Sequence, residues 1–189
     1  MNLRDLSFDN SWTLFLDRDG VINQRIIGGY VKDWNEFIFL DGVLRGLHSL
    51  SSVFGRIIVV SNQQGIAKGL VGYEQVGQIH EFMVENIEKT GGRIDKVYVS
   101  PYLEHQNHPD RKPGIGMALK AKKDFPEIRF EKSLMAGDSQ VDIEFGKNAG
   151  MYTVLIGSDQ PWIEPAADFY FDDLDSLAEA IISINDPKR

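Results

Sequence analysis

The sequence predicts one α/β domain built on a largely parallel sheet with flanking helices. The 189 residues suit a single domain, and a hydrophobic content of 42% is enough for a sizeable core. Apolar runs of strand length alternate with segments in which apolar residues recur at a helical period. No internal repeat or low-complexity tract interrupts this alternation. Residues 1–10 are expected to form a loose N-terminal extension.

The first half of the chain contains three predicted strands and two predicted helices. The run RIIVV is apolar after its arginine, as is typical of a strand buried on both faces. Val76, Ile79, Met83 and Ile87 recur at a helical spacing. The predicted elements are a strand at 12–16, an irregular segment at 23–40, a helix opened by Asp41-Gly42, a strand at 56–60, a helix at 73–89 and a strand at 96–99.

The second half continues the same alternation to the C-terminus. Its shortest apolar run, Leu134-Met135-Ala136, stops abruptly at Gly137-Asp138, which indicates a strand followed by a tight turn. The predicted elements are a helix at 116–123, strands at 134–136, 151–156 and 168–171, a helix at 141–148 and a closing helix at 174–184.

Polar or acidic residues follow four of the predicted strands. They lie at 17–20, at 61–65, in the loop 100–112 and at 137–138. Ligands of open parallel sheets bind beyond the carboxyl ends of the strands. The agreement of four strand ends therefore predicts a binding site at that edge of the sheet.

Asp17 and Asp19 stand two residues apart where the first strand ends. Residues at this spacing share a face of a strand, so both carboxylates can point to one place. Close carboxylates repel each other, and a hard cation such as Mg²⁺ removes that cost. An ordinary Asp-Gly turn is the alternative. A calcium-binding EF-hand loop is excluded, because its sixth-position glycine and twelfth-position acid are missing.

Ser61, Asn62 and Gln63 follow the most apolar strand. A hydroxyl and two amides can donate hydrogen bonds to an anion without adding charge, and Gly65 allows a close approach of the backbone. The alternative is a strand-to-helix loop that ends in a helix cap.

Arg111 and Lys112 form a local basic pair in an acidic chain. The formal net charge of −8 disfavours nucleic acid and anionic membranes as partners. An anionic ligand would therefore need clustered cations, and arginine and lysine together suit a phosphate. A solvated surface pair is the alternative.

Asp138 follows the fourth strand directly, and Asp142 lies one helical turn further on. A third carboxylate would complete a metal site built from oxygen ligands. Capping of the next helix by Asp138 is the alternative.

The remaining candidates are histidines. His48 and His80 fall within helical patterns and are predicted to be surface or packing residues. His105 and His108 lie in the loop 100–110, where their spacing is a weak signal for zinc because the chain has no cysteine.

Targeting signals are not evident. The N-terminus lacks a basic stretch followed by an apolar stretch, and no apolar run approaches the roughly 20 residues that span a bilayer. We predict a cytoplasmic location and a monomer.

Four ordered motifs resemble the haloacid dehalogenase (HAD) superfamily of aspartate-nucleophile phosphatases. They are DRDGVIN at 17–23, VSNQQGIAKG at 60–69, DRKPGIGM at 110–117 and AGDSQVDIEFGKNAG at 136–150. The resemblance runs from about residue 14 to the closing helix. It implies a HAD-like, Rossmann-like sheet with a minimal cap.

Within that superfamily the chain looks most similar to the phosphatases of D-glycero-D-manno-heptose 1,7-bisphosphate and of histidinol phosphate. GGYV at 28–31 and the aromatic-rich stretch FIFLDGV that follows it carry this similarity, together with SNQQGIAKG and RKP. That group usually has a structural zinc loop with cysteine ligands before RKP. This chain has no cysteine, so we predict no structural zinc, with a site at His105, His108 and Asp110 as the alternative.

The resemblance implies a role for each motif residue. Asp17 would be the nucleophile and Asp19 the general acid and base. Ser61 and Lys112 would bind the transferring phosphoryl group. The resemblance also assigns Mg²⁺ to Asp17, the Asp19 carbonyl and Asp138, support to Asp142 and Gly20, and substrate contact to Asn62, Gln63 and Arg111.

The expected activity is Mg²⁺-dependent hydrolysis of a small sugar phosphate, with heptose 1,7-bisphosphate as the first candidate substrate. Histidinol phosphate or another small phosphomonoester is the second. A phosphate-binding protein that has lost catalysis would have a replacement at one or more of the residues that carry the chemistry. None of these is replaced: Asp17, Asp19, Ser61, Lys112 and Asp138. A purely structural α/β module would leave the four motifs at four strand ends unexplained.

Overall fold

The computed structural model describes residues 2–157 and 164–185. These residues contain a six-stranded sheet in the order β3-β2-β1-β4-β5-β6, and all neighbouring strands are parallel. The predicted α/β class is therefore confirmed. The strands are β1 (Thr13–Leu16), β2 (Arg56–Asn62), β3 (Lys96–Ser100), β4 (Ser133–Gly137), β5 (Tyr152–Ile156) and β6 (Phe169–Phe171).

Helices cover both faces of the sheet. Alternate residues of β1 point to opposite faces, so Leu14 and Leu16 join one apolar cluster and Phe15 joins the other. Helices α1, α2 and α5 pack on the first face, and α3 and α4 pack on the second. The helices are α1 (Val43–Ser51), α2 (Tyr73–Lys89), α3 (Gly116–Asp124), α4 (Gln140–Ala149) and α5 (Leu174–Asn185).

The predicted elements are all present, with ends that differ by at most two residues. The largest extension is at β2, which continues to Asn62 because Ser61 and Asn62 pair with β3. Chain order reverses beside β1, which lies between β2 and β4. Such a reversal opens a crevice at the carboxyl end of the central strand, and residue 17 enters it.

The N-terminal segment is not a loose extension. Leu3 and Phe8 are buried, and the Phe8 ring lies 4.7 Å from Trp12 and 5.9 Å from Phe54 between centroids. Asn185 of α5 also donates a hydrogen bond to the Phe8 carbonyl. Burial of this aromatic cluster stabilises residues 2–10 against the domain, and residue 1 lies outside the described residues.

The irregular segment 23–40 contains one turn of 3₁₀ helix at Trp34–Glu36. Buried Val31 and Phe37 hold it to the core. Within the described ranges, no segment between the strands forms a separate cap domain. None of the helices in those ranges combines the length and apolar content that crossing a bilayer requires.

Candidate functional site

Strand ends bring Asp17, Lys112 and Asp142 into direct contact. Asp17 follows β1, and its backbone N–H donates to the Ala136 carbonyl of β4, 3.0 Å away. The Lys112 ammonium lies 2.8 Å from Oδ1 of Asp17 and 2.6 Å from Oδ1 of Asp142. All three side chains are buried, so this ion-paired cluster is shielded from solvent.

Asp142 lies in the first turn of α4 and makes two kinds of contact. Its Oδ2 accepts hydrogen bonds from the backbone N–H and the hydroxyl of Ser139, the N-cap residue of α4. The bond from the Ser139 N–H is one half of a capping box. Its Oδ1 faces Lys112. The start of α4 therefore determines where the lysine ammonium is held. The helix-cap alternative named Asp138, but Ser139 is the capping residue.

Asp138 directly follows β4. Its Oδ1 accepts a hydrogen bond from Nη2 of Arg25, 2.8 Å away. Gly20 has a φ of +94°, and a Cβ at that position would overlap with the Asp138 carboxylate. A glycine at position 20 is required both by its left-handed backbone and by the space that Asp138 occupies.

Asp17, Asp138 and Asp142 form the acidic group that best fits a cation in the described ranges. One carboxylate oxygen from each lies within 4.8 Å of the others. A donor set made only of carboxylate oxygens suits Mg²⁺ and is unlike the nitrogen and sulfur sets typical of zinc. The geometry includes Asp142 beside the predicted ligands Asp17 and Asp138. A role for the Asp19 carbonyl stays a prediction.

Crowding of these carboxylates perturbs their ionisation. Burial, reinforced by Asp142, raises the pKa of Asp17 to about 6, although Lys112 opposes the rise. Burial and the nearby Asp17 raise the pKa of Asp138 to about 7, against the effect of Arg25. Both acids are therefore strained in their charged form, which a bound cation would relieve.

This strain predicts how stability depends on pH. Both raised pKa values lie above the ordinary value of 3.8, so the folded state binds protons more tightly than the unfolded state. Their stabilising contribution is complete below that value and is lost as the pH rises through about 6 and about 7. We expect the melting temperature of the metal-free protein to fall over this range, and Mg²⁺ to reverse the fall.

Thermal unfolding in EDTA and in Mg²⁺ across this pH range measures the effect. Asp138→Asn is the matched control and should flatten the metal-free profile, because it removes one of the two titrating groups. Equal pH profiles for the variant and the wild type would contradict the assignment.

The Asp19 carboxylate is held by its own set of donors. Nη2 of Arg18 lies 2.8 Å from each of its oxygens. Asn23 and Gln63 donate one further hydrogen bond each, over 2.9 and 2.8 Å. Burial alone would raise the pKa of Asp19, but Arg18 and the two amides hold it below its usual value. Asp17 and Asp19 therefore occupy different electrostatic environments.

Arg18 and His80 form a buried pair behind Asp19. The Arg18 side chain is only 1% exposed, and its Nη1 lies 3.0 Å from Nε2 of His80 on α2. Burial, with Arg18 as the second cause, lowers the pKa of His80 to about 3. His80 was predicted to be a surface or packing residue, and the structure shows that it is buried and contacts Arg18. The sequence feature that could have drawn attention to Arg18 is its position between Asp17 and Asp19.

The amides at the end of β2 bind protein groups of the site. The Asn62 amide donates to the Lys112 carbonyl over 3.1 Å and accepts from the Lys112 N–H over 3.0 Å. Gln63 donates to Asp19 and, over 2.8 Å, to the buried Ser61 hydroxyl. Both amides therefore position neighbouring site residues. Their predicted contacts with substrate stay predictions.

A cavity of about 460 Å³ opens above these groups. Its size suits a small metabolite. Asp17, Asp19 and Lys112 lie on its wall, and cationic side chains from three separate segments also line it: Arg25, Lys68 and Arg111. Arg25 and Lys68 were not predicted as site residues, because no local pattern distinguishes them from surface cations.

The loop before Arg111 is held by contacts within the loop and with the helix α3 that follows it. Tyr102 stacks on His108 with ring centroids 3.4 Å apart, and Arg111 donates to the Tyr102 carbonyl. Asp110 pairs with Lys120 over 2.6 Å and lies 3.7 Å from His108. The expectation of no structural zinc, and the alternative site at His105, His108 and Asp110, both stay predictions.

Comparison with known proteins gives consistent matches. Residues 110–177 match the HAD-hydrolase-like family model. The chain is 37% identical to the D-glycero-alpha-D-manno-heptose-1,7-bisphosphate 7-phosphatase of Mycobacterium bovis over 139 residues, which are 74% of this chain and 73% of the relative. It is 34% identical to the corresponding beta-anomer phosphatase of Photorhabdus laumondii over 187 residues, covering 90% of this chain and 95% of the relative.

A solved structure supports the same grouping. The D,D-heptose 1,7-bisphosphate phosphatase from B. bronchiseptica, complexed with magnesium and phosphate, superimposes with a TM-score of 0.82. The two chains share 25% identity, and the match covers 91% of this chain and 98% of the other. Sequence identity and fold similarity therefore point to the same group of proteins.

Proposed function

Because this chain belongs to the HAD superfamily, in its group of heptose bisphosphate phosphatases, we propose that it is a Mg²⁺-dependent phosphatase that removes the 7-phosphate of D-glycero-D-manno-heptose 1,7-bisphosphate. The observation that carries the proposal is the buried Asp17 carboxylate, paired with Lys112 at the floor of a cavity. Phosphoryl transfer requires mainly positioning and charge neutralisation, and this cluster supplies both.

The reaction proceeds in two steps. An Asp17 oxygen attacks the phosphorus, the bond to the substrate oxygen breaks, and Asp19 in its protonated form gives its proton to the departing oxygen. Arg18 favours the charged form of Asp19, so the protonated form is the minor one in the free protein. Water then attacks the aspartyl-phosphate and gives its proton to Asp19, which releases inorganic phosphate and restores the Asp17 carboxylate. Burial of Asp17 beside Lys112 keeps the attacking oxygen oriented.

Positive groups and neutral hydrogen-bond donors balance the charge that the phosphoryl oxygens carry. The Lys112 ammonium and the Ser61 hydroxyl contact those oxygens, and Asn62, Gln63 and Arg111 contact the rest of the substrate. Asp17, the Asp19 carbonyl and Asp138 would hold Mg²⁺, with Asp142 and Gly20 in support, and the ion would supply further charge neutralisation when bound. The carboxylate cluster supports Asp17 and Asp138 as ligands, and the absence of a side chain at Gly20 leaves room for the Asp138 carboxylate.

Two substrate questions follow from the comparisons and the sequence. Relatives are named for the alpha and the beta anomer of the heptose, so both belong in the test. Histidinol phosphate is the second candidate, because the loop before Arg111 lacks the cysteines usual in this group. We further propose that the protein is a cytoplasmic monomer. We also propose that it has no nucleic-acid or membrane partner, and the net charge of −8 supports this point.

A substrate panel with detection of released phosphate tests the proposal. We expect kcat/KM on one heptose bisphosphate anomer to exceed that on histidinol phosphate by about 100-fold, because polar groups of a matched site discriminate strongly. EDTA should abolish the activity and Mg²⁺ should restore it. A preference for histidinol phosphate would select the second candidate, and no release from any substrate would reject a phosphatase.

A further inference from the structure

Asp19 has no contact with Asp17 that fixes its direction, although both must face one phosphorus atom. Asn23 and Gln63 donate one hydrogen bond each to the Asp19 carboxylate, and Arg18 is the donor that contacts both of its oxygens. Arg18 in turn is almost completely buried, so its guanidinium lies between Asp19 and the helix α2 behind it. The direction of the Asp19 carboxylate therefore depends on how Arg18 is seated.

We propose that Arg18 and His80 are a positioning pair that holds Asp19 in line with the leaving oxygen of the substrate. This inference rests on the proposed function. In the described part of the chain, the side-chain hydrogen bonds of Arg18 go only to Asp19 and His80, and its buried Nε has no partner. His80 thus sets the orientation of the planar Arg18 guanidinium through Nη1, and Nη2 of the same group contacts the Asp19 carboxylate.

The chemistry of the contact makes His80 a hydrogen-bond acceptor. A guanidinium is always protonated and can only donate, so Nε2 of His80 must present its lone pair. A second positive charge so close to Arg18 would be unfavourable, and the low pKa of His80 agrees with a neutral ring. His80 is itself fixed, because its neighbours Ile79 and Met83 on α2 are fully buried.

Loss of this pair should affect substrates according to their leaving groups. A sugar oxygen must be protonated as its bond to phosphorus breaks, so its departure depends on a well-aligned Asp19. A p-nitrophenolate leaves without a proton. The water step needs Asp19 as a base for both substrates, so that step should slow for both.

The experiment compares His80→Leu, His80→Gln and Arg18→Lys on a heptose bisphosphate and on p-nitrophenyl phosphate. We expect His80→Leu and Arg18→Lys to lower kcat on the sugar phosphate by about 10- to 100-fold with little change in KM. On p-nitrophenyl phosphate, rapid mixing should reveal a burst of one p-nitrophenolate per enzyme before a slow steady state. His80→Gln keeps an oxygen acceptor for Arg18 and should recover most of the activity.

Met83→Leu is the matched control, since it changes a buried residue of the same helix that lies outside the pair. It should leave kcat at the wild-type value and give the same p-nitrophenolate time course as the wild type. Arg18→Lys tests the pair independently if His80→Leu does not fold. Absence of the p-nitrophenolate burst in both His80→Leu and Arg18→Lys, or full activity in all variants, would overturn the positioning role. Absence of turnover by the wild type on both substrates would instead reject the proposed function.

Discussion

Asp17→Asn is expected to lower the rate of phosphate release by at least about 10⁴-fold, the scale on which loss of a catalytic nucleophile is measured. An amide of the same shape cannot form the aspartyl-phosphate. The fold should survive, because the buried carboxylate is crowded by Asp142 and Asp138 and its charge is unfavourable without a cation. We therefore expect the melting temperature of the metal-free variant near pH 8 to equal or exceed that of the wild type.

Released phosphate, measured in single-turnover and steady-state assays, tests the first expectation, and thermal unfolding in EDTA tests the second. Asp95→Asn is the control for loss of a buried carboxylate. Asp95 is also buried but pairs with Arg56 and Arg93 just before β3, at the edge of the sheet away from the site. That variant should lose stability and keep its kcat. Near-normal phosphate release by Asp17→Asn would exclude Asp17 as the nucleophile.

Lys112→Met should damage both catalysis and stability. Its ammonium lies between the buried carboxylates of Asp17 and Asp142, and its removal leaves two negative charges together without a partner. Breaking a buried ion pair in this way costs about 3 to 5 kcal/mol of unfolding free energy. We expect kcat to fall by about 10²- to 10³-fold, as for loss of a charged group that contacts the transition state.

A double variant separates the two effects. Lys112→Met combined with Asp142→Asn removes one of the stranded charges, so it should recover part of the stability but none of the activity. Denaturant unfolding and phosphate release measure the two quantities. Lys120→Met is the surface control, because Lys120 is 56% exposed and its pair with Asp110 contributes little. Wild-type stability in Lys112→Met alone would show that the ammonium does not stabilise the cluster.

Much of this fold was predictable because each element carries its own pattern. The continuous apolar run of β1 and the helical spacing in α2 follow from which residues must be buried. The segment 2–10 was mispredicted as loose, since Leu3 and Phe8 are buried by partners far along the chain. Short apolar stretches have no local signal that distinguishes such docking from disorder.

The pattern of apolar runs and motifs is enough to predict the parallel sheet and the edge at which Asp17, Lys112 and Asp138 meet, because the carboxyl ends of parallel strands lie at one edge. The contacts between those residues and the rest of the chain depend on the folded structure. It placed His80 against Arg18, Arg25 against Asp138 and the Asn62 amide on the Lys112 backbone. Each contact joins segments 50 or more residues apart, and its distance depends on how the helices and loops pack around the sheet.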